Sequence, residues 1–409
     1  MARAALFTLP IKAHLNPSAA LVSELVKDGE EVFYYAIEPY RREVEAAGAT
    51  FRSHPDYGFN DVPLSKNETV IAARLWEITE RIIDYLLAQV ERDKPDYVVH
   101  DSFCAWGRPI AHLLGLPAIS SVHGLALNES LVNHYAKPNL TTLRNALRSS
   151  PHIARMWWHK TRLERRYDLP TASLLDWVAG PQPLNVVYTS REVQPVSESF
   201  GERYRFVGPT IAPRPAPPFP LERLEEAGSP VIYIALGTLY NDNLDLYRAC
   251  LEAFGGEPYC VVLSVGPHID LPQLGEIPGS VIVCPVVPQL EVLQRADVFI
   301  SHSGMKSVNE ALYYGVPMLA VPQGVDQFVL AERVEQLGAG VTLNPPEVNA
   351  HSLRRGVEQL LSDRRYRQRS REVGRTLVAA GGYKRAAAEI LEHVERLGLR
   401  QPRSPVVGA

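Results

Sequence analysis

The chain has 409 residues, which at about 150 residues per domain points to two or three domains and away from a single small binding module. Forty-two Lys and Arg face 46 Asp and Glu, a formal charge of −4, with 22% charged and 46% hydrophobic residues; this is ordinary globular usage, which argues against a largely disordered chain and against the concentrated basic face that DNA or RNA binding needs. Cys104, Cys250, Cys260 and Cys284 form no CxxC pair, a scatter that suits a reducing cytoplasm and gives no disulfide framework.

The N-terminal run AALFTLPI is apolar over only eight residues before Lys12 and His14. It is too short to span a bilayer and lacks the cleavage pattern of a signal peptide, so it is predicted to be a buried first strand. A helix is expected over 17–27, with Asn16 and Pro17 at its start, then a strand at EVFYYAI and a helix from near Pro39. YVVHD, a helix around 110–114, PAISSV and NVVYTS continue the alternation. The aromatic residues Phe59, Trp76, Trp106, Tyr135, Trp157, Trp158 and Trp177 fall in this half and either pack helices on the sheet or line an apolar ligand pocket.

Residues 211–220, IAPRPAPPFP, hold five prolines in ten positions, too many for a helix or central strand, and read as an extended connector. Beyond them the alternation restarts with VIYIALGT, CVVLSVG, SVIVCPVV, DVFISHS and PMLAVP. Short apolar runs alternating with amphipathic stretches predict an α/β fold of two parallel-sheet domains facing each other across a cleft. The boundaries read 1–210 for the N-terminal domain, 211–228 for the linker and 229–382 for the C-terminal domain. Residues 383–409 form a final helix and tail, whose Ala386, Ile390 and Val394 share a face suited to packing back on the N-terminal domain.

The densest chemistry lies where DVFISHS runs into GMKSVNEALYYG. A strand opening through Ser, His, Ser and Gly into a helix leaves several backbone N–H groups without intrahelical partners, and these bind phosphate oxygens with the help of the helix dipole. Gly304 permits close backbone approach, His302 is placed to donate a hydrogen bond, and the hydroxyl of Ser303 or Ser307 adds another. Glu310 either accepts hydrogen bonds from ribose hydroxyls or closes a capping box with Ser307. Lys306 is either a solvated helix residue or a cation beside the diphosphate. Gly237 and Thr238, at the end of VIYIAL, supply a second glycine turn on the same sheet edge. Neither GxxxxGK[ST] nor GxGxxG occurs, which disfavours ATP hydrolysis and a dinucleotide site.

In the first half, His14 follows the first strand and Asp101 closes YVVHD, so both belong at the C-terminal edge of a parallel sheet. Paired, they form a general base with its orienting carboxylate; unpaired, His14 is a loop histidine bonded to backbone. His100 points to the other face. No HExxH or tight His/Asp/Glu group suggests a catalytic metal.

Three separated stretches in order, H-x-N-P at 14–17, the isolated Asp101 and the segment 287–334, resemble the nucleotide-sugar-dependent glycosyltransferases of the GT-B class with two Rossmann-like domains. More narrowly, they resemble the macrolide glycosyltransferase-like members of family 1, and the resemblance covers nearly the whole chain. It implies His14 as general base with Asp101 as partner, and Val287 and Gln289 at the nucleobase. It further implies Glu310 at the ribose, Gly237, Thr238, His302, Gly304 and Ser307 at the diphosphate, and Asp326 with Gln327 at the donor sugar; without it, Asp326 reads as a local helix cap. Two positions depart from the pattern. Val286 stands where many relatives carry an aromatic that stacks on the base, and Lys306 where they carry a small or amide residue.

The activity so implied is inverting transfer of a hexose, glucose first, from a UDP-sugar to a hydroxyl of a hydrophobic natural product such as a macrolide or polyphenol. TDP-sugars remain an alternative donor because of Val286. No metal or other cofactor is implied, nor a nucleic acid or membrane partner, and the expected state is a cytoplasmic monomer or weak dimer. A nucleotide-sugar epimerase on the same fold and a non-enzymatic two-domain ligand-binding protein are the competing readings.

Overall fold

Short runs rich in β-branched and aromatic residues become strands along the whole chain. In the computed structural model, which describes residues 1–58, 68–135, 140–214, 217–237 and 241–400, these strands form two all-parallel sheets. The first contains β1 (Arg3–Phe7), β2 (Glu31–Ala36), β3 (Thr50–Ser53), β4 (Tyr97–Asp101), β5 (Ala118–Val122), β6 (Leu184–Val187) and β7 (Tyr204–Phe206), in the order β3-β2-β1-β4-β5-β6-β7. The second contains β8 (Val231–Ala235), β9 (Cys260–Ser264), β10 (Val281–Cys284), β11 (Val298–Ser301), β12 (Met318–Ala320) and β13 (Gly340–Thr342), in the order β10-β9-β8-β11-β12-β13.

The chain divides into two compact units. One comprises Met1–Tyr188, Val196–Ala212 and the chain from Gly381 onward; the other comprises Thr189–Pro195 and Pro213–Ala380. Thr189–Pro195 belongs with the second unit although chain order puts it in the first half. Thr189 Oγ1 donates to Asn309 Oδ1 at 2.7 Å, and Arg333 Nη2 donates to the Glu192 carbonyl at 2.6 Å.

Parallel sheets are covered on both faces, so their strands are apolar at successive positions. In β1, Ala4 and Leu6 pack with Leu21, Val22 and Leu25 of the helix Lys12–Lys27 and with Ala386, Ile390 and Val394 of the helix Gly382–Arg396. Ala5 and Phe7 face the other way, onto Ile78, Ile82 and Leu86 of the helix Glu68–Asp93 and Leu163 of Leu140–Tyr167. Full burial of each large apolar side chain contributes about 1.5–3 kcal/mol, and here it draws the last helix onto the first sheet. In the second unit, Ile232 and Ile234 pack on Leu246 and Leu251 of the helix Leu244–Phe254 and on Leu353, Val357 and Leu360 of Ala350–Ser362.

Among the aromatic candidates, Trp76 and Trp106 are core residues, while Trp157 and Trp158 are 43% and 56% exposed. The Phe59 position and the Trp177 side chain lie outside the described residues. None of the described helices is long and apolar enough to cross a membrane.

Sheet order decides where chemistry can collect. In each sheet the order turns back at one place, between β1 and β4 and between β8 and β11. The loops leaving those strand pairs run to opposite sides and leave a crevice beyond their carboxyl ends.

Candidate active site

At the first such point β1 leads through Pro10 into a helix that begins at Lys12, not near Pro17. Pro17 falls sixth in that helix, beyond the first four N–H groups that lack intrahelical partners, and so forfeits one backbone bond inside it. His14 therefore sits on the first helical turn rather than in a loop. Because β4 pairs directly with β1, Asp101 at the end of β4 arrives beside it. His14 Nδ1 lies 2.5 Å from Asp101 Oδ2, with side-chain exposures of 16% and 0%.

An ionised carboxylate can only accept, so this contact places the imidazole proton on Nδ1 and leaves the Nε2 lone pair available. Burial pushes the Asp101 carboxyl up, but the charge and hydrogen bond of His14, with His123 and the Phe103 N–H, outweigh it and hold the group below the ordinary aspartate range. The dyad is thus an ionised carboxylate orienting an imidazole that can take a proton.

Three neighbours were not foreseen. The Phe103 N–H donates to Asp101 Oδ1 at 2.8 Å, and its ring meets His14 edge-on at 5.8 Å. His123 Nε2 lies 3.9 Å from Asp101 Oδ2, and the His123 ring stacks on Tyr188 at 4.6 Å. The signal for His123 was present: it follows the strand PAISSV as His14 follows AALFTLP, and β5 adjoins β4. His100, by contrast, is buried under the helix Gly107–Leu113, where a Cβ on Gly107 would fall 2.3 Å from the His100 Cβ.

At the second switch point the chain leaves β8 through Gly237, and β11 through His302, Ser303 and Gly304 into the helix Met305–Tyr313. Gly304 has a structural reason of its own for lacking a side chain. A Cβ on Gly304 would lie 2.5 Å from His302 Nε2, and one on Gly237, whose φ is +77°, would lie 2.6 Å from the same atom. The two glycines bracket the imidazole. Burial drives its pKa down to about 4, with a hydrogen bond to the Ala235 backbone opposing. His302 is therefore neutral near pH 7 and carries a single N–H, so it can donate to a phosphate only if that N–H turns away from the Ala235 carbonyl.

Ser303 adopts φ +63°, rare for a non-glycine residue, and is fully buried, its Oγ without a partner among the described residues. Gly304 is the N-cap and no side chain caps the helix, so the N–H groups of Met305, Lys306 and Ser307 have no helical acceptor. Thr238 lies outside the described residues.

The capping-box reading of Ser307 and Glu310 fails, because Ser307 is the third helical residue and not the cap. Glu310 instead anchors a network. Arg214 Nη1 and Nη2 donate to its Oε1 and Oε2 at 2.9 and 3.2 Å, and Gln289 Nε2 donates to Oε2 at 2.5 Å. The Tyr233 hydroxyl donates to Gln289 Oε1 at 3.0 Å. Glu310 is 1% exposed and Arg214 22%. The Gln289 side chain is thereby turned onto Glu310 and Tyr233, and Val287 beside it is buried. Arg214, from the proline-rich connector, carried no local signal of its role.

The helix Val325–Gln336 presents the last pair. Gln327 Oε1 accepts from the backbone N–H groups of Gln323 and Gly324 at 2.8 and 3.0 Å, with no bond from its amide N–H₂ found among the described residues, while Asp326 is exposed at the helix start. Among the described residues, no three His, Cys, Asp or Glu side chains converge as a metal site.

Residues 259–395 match the family described as Erythromycin biosynthesis protein CIII-like, C-terminal domain. The uncharacterized UDP-glucosyltransferase YojK of Bacillus subtilis (strain 168) is 34% identical over 408 residues, covering 97% of this chain and 98% of its own. The NDP-glycosyltransferase YjiC of Bacillus licheniformis is 33% identical over 408 residues, with the same two coverages. The crystal structure of the glycotransferase of kitacinnamycin is 28% identical, superposes with a TM-score of 0.82, and covers 96% of this chain and 98% of that one. With a strand-end dyad in one parallel-sheet unit, a glycine-bracketed helix start in the other, and relatives matching end to end, the chain belongs to the macrolide-type family 1 glycosyltransferases of the GT-B class.

Proposed function

We propose that the protein is an O-glycosyltransferase that moves a hexose, glucose first, from a UDP-sugar to a hydroxyl of a hydrophobic natural product such as a macrolide or polyphenol, with inversion at the anomeric carbon. The observation that carries this reading is the 2.5 Å contact between His14 Nδ1 and the fully buried Asp101 carboxylate at the switch point of the first sheet. Nε2 takes the proton of the acceptor hydroxyl, and the oxygen attacks the anomeric carbon. The bond from that carbon to the diphosphate breaks, and the nucleoside diphosphate leaves with the electron pair. Asp101 holds the tautomer and stabilises the imidazolium formed.

Negative charge grows on the leaving diphosphate. The unused N–H groups at the start of Met305–Tyr313 and the Ser307 hydroxyl are the donors assigned to it, joined by neutral His302 once its single N–H turns from the Ala235 carbonyl, and they act more strongly on the transition state than on the ground state. No step of this scheme needs a metal. Glu310 is assigned to the ribose, Val287 and Gln289 to the base, and Asp326 and Gln327 to the donor sugar. TDP-sugars are the second reading for the donor, left open by Val286, which is 54% exposed and offers no ring to select a base by stacking. Family membership sets aside the epimerase and binding-protein alternatives. The proposed location is the cytoplasm, which the four free thiols suit.

His14→Ala tests the assignment. Turnover on an alcohol acceptor falls at least about 100-fold, the low end of general-base contributions, while calorimetric donor binding is retained. Turnover near wild type on that acceptor refutes it.

A further inference from the structure

The residue that the nucleotide scheme leaves unused is Lys306, second in the helix Met305–Tyr313. A cation there opposes the positive end of the helix dipole, and no acidic residue shares the first turn. No hydrogen bond or ion pair to its ammonium is found among the described residues. The charged groups facing it are Glu310 and Arg214; burial holds its amine below the usual lysine range, Glu310 opposes that shift and Arg214 adds to it. Nor is Glu310 free to neutralise it, because both its oxygens are bound by the Arg214 guanidinium and one also by Gln289. Two cations lie against one buried carboxylate, with Glu291 a further, weaker charge acting on Arg214, so Lys306 has no carboxylate of its own in a partly buried setting, an arrangement that an anion would complete.

Geometry says where that anion lies. Residues four apart stack on one helix face, so Lys306 stands one turn nearer the helix start than Glu310. The same helix start carries unused N–H groups and, beside them, the fully buried Oγ of Ser303, which has no partner among the described residues. We infer that Lys306 is a donor-binding residue that neutralises one charge of the nucleoside diphosphate and so favours its departure. This rests on the assignment of the helix start to the diphosphate. It also explains why a residue unfavourable to the helix stands at this position.

The test compares Lys306→Met and Lys306→Arg with wild type by calorimetric titration of uridine, UMP and UDP at two salt concentrations. Expected for Lys306→Met is a loss of UDP affinity of about 10- to 100-fold, the range of one charge-assisted contact, with uridine within about twofold, a shallower salt dependence, and most of the affinity recovered in Lys306→Arg. The same variant should melt no lower than wild type, since it removes a cation from a helix start; this separates charge recognition from misfolding. Unchanged UDP affinity, or equal losses for UDP and uridine, overturns the role of Lys306. Failure of the wild-type protein to bind either UDP or TDP overturns the donor-site assignment itself.

Discussion

Asp101→Asn is the most searching substitution, because it preserves shape and removes one charge. Asp101 is fully buried and both its oxygens are committed, Oδ2 to His14 Nδ1 and Oδ1 to the Phe103 N–H. An asparagine has one carbonyl oxygen for these two donors. If it satisfies Phe103, the amide N–H₂ faces Nδ1, which must then accept, and the proton moves to Nε2, where the base is needed. If it satisfies His14 instead, orientation survives, but the charge that stabilises the imidazolium is gone. For charges about 4 Å apart at an effective dielectric near 20 that charge is worth about 4 kcal/mol, or about three decades in rate at about 1.4 kcal/mol per decade. The expected loss in kcat is therefore about 100- to 1,000-fold on an alcohol acceptor, with a smaller loss on a phenol, whose own acidity relieves the base. The assay is kcat and kcat/KM from pH 5.5 to 9 with each acceptor class, alongside donor affinity by calorimetry, which should not change. A kcat within about threefold of wild type on the alcohol, with the same pH profile, would refute the tautomer argument.

Two further outcomes follow from the nucleotide-site geometry. Arg214→Ala strips the guanidinium from a carboxylate that is 1% exposed; breaking such a pair costs about 3 kcal/mol, the low end because Arg214 itself is partly exposed, and Glu310→Gln in the same background should recover part of it. Equal denaturation midpoints for Arg214→Ala and wild type would count against the network. His302 titrates near 4 in the folded protein, against 6.5 for an unburied imidazole, so below pH 6.5 the unfolded chain gains a proton that the folded one refuses. Its contribution is complete above 6.5 and declines by up to about 3 kcal/mol toward pH 4; His302→Gln should flatten the acid side of the stability curve, and identical slopes would exclude it.

What chain order alone can determine about this protein is local. Hydrophobic runs of four to eight residues mark the strands, five prolines in ten positions mark the connector, and a polar residue just past a buried strand marks a sheet edge where ligands collect. That logic marks His14, Asp101 and the Ser-His-Ser-Gly turn in the sequence itself, because each rule acts over a few residues. Tertiary structure alone decided which of these meet. His14 and Asp101 are 87 residues apart and touch because β1 pairs with β4, and Arg214 reaches Glu310 across 96 residues. It also decided that the glycines flank a histidine ring, that this histidine is neutral, that His123 and Phe103 join the dyad, and that Trp157 and Trp158 face solvent while Trp76 is core. Strand order and side-chain burial are properties of the packed whole, set by which apolar faces find one another, and no short window of sequence carries them.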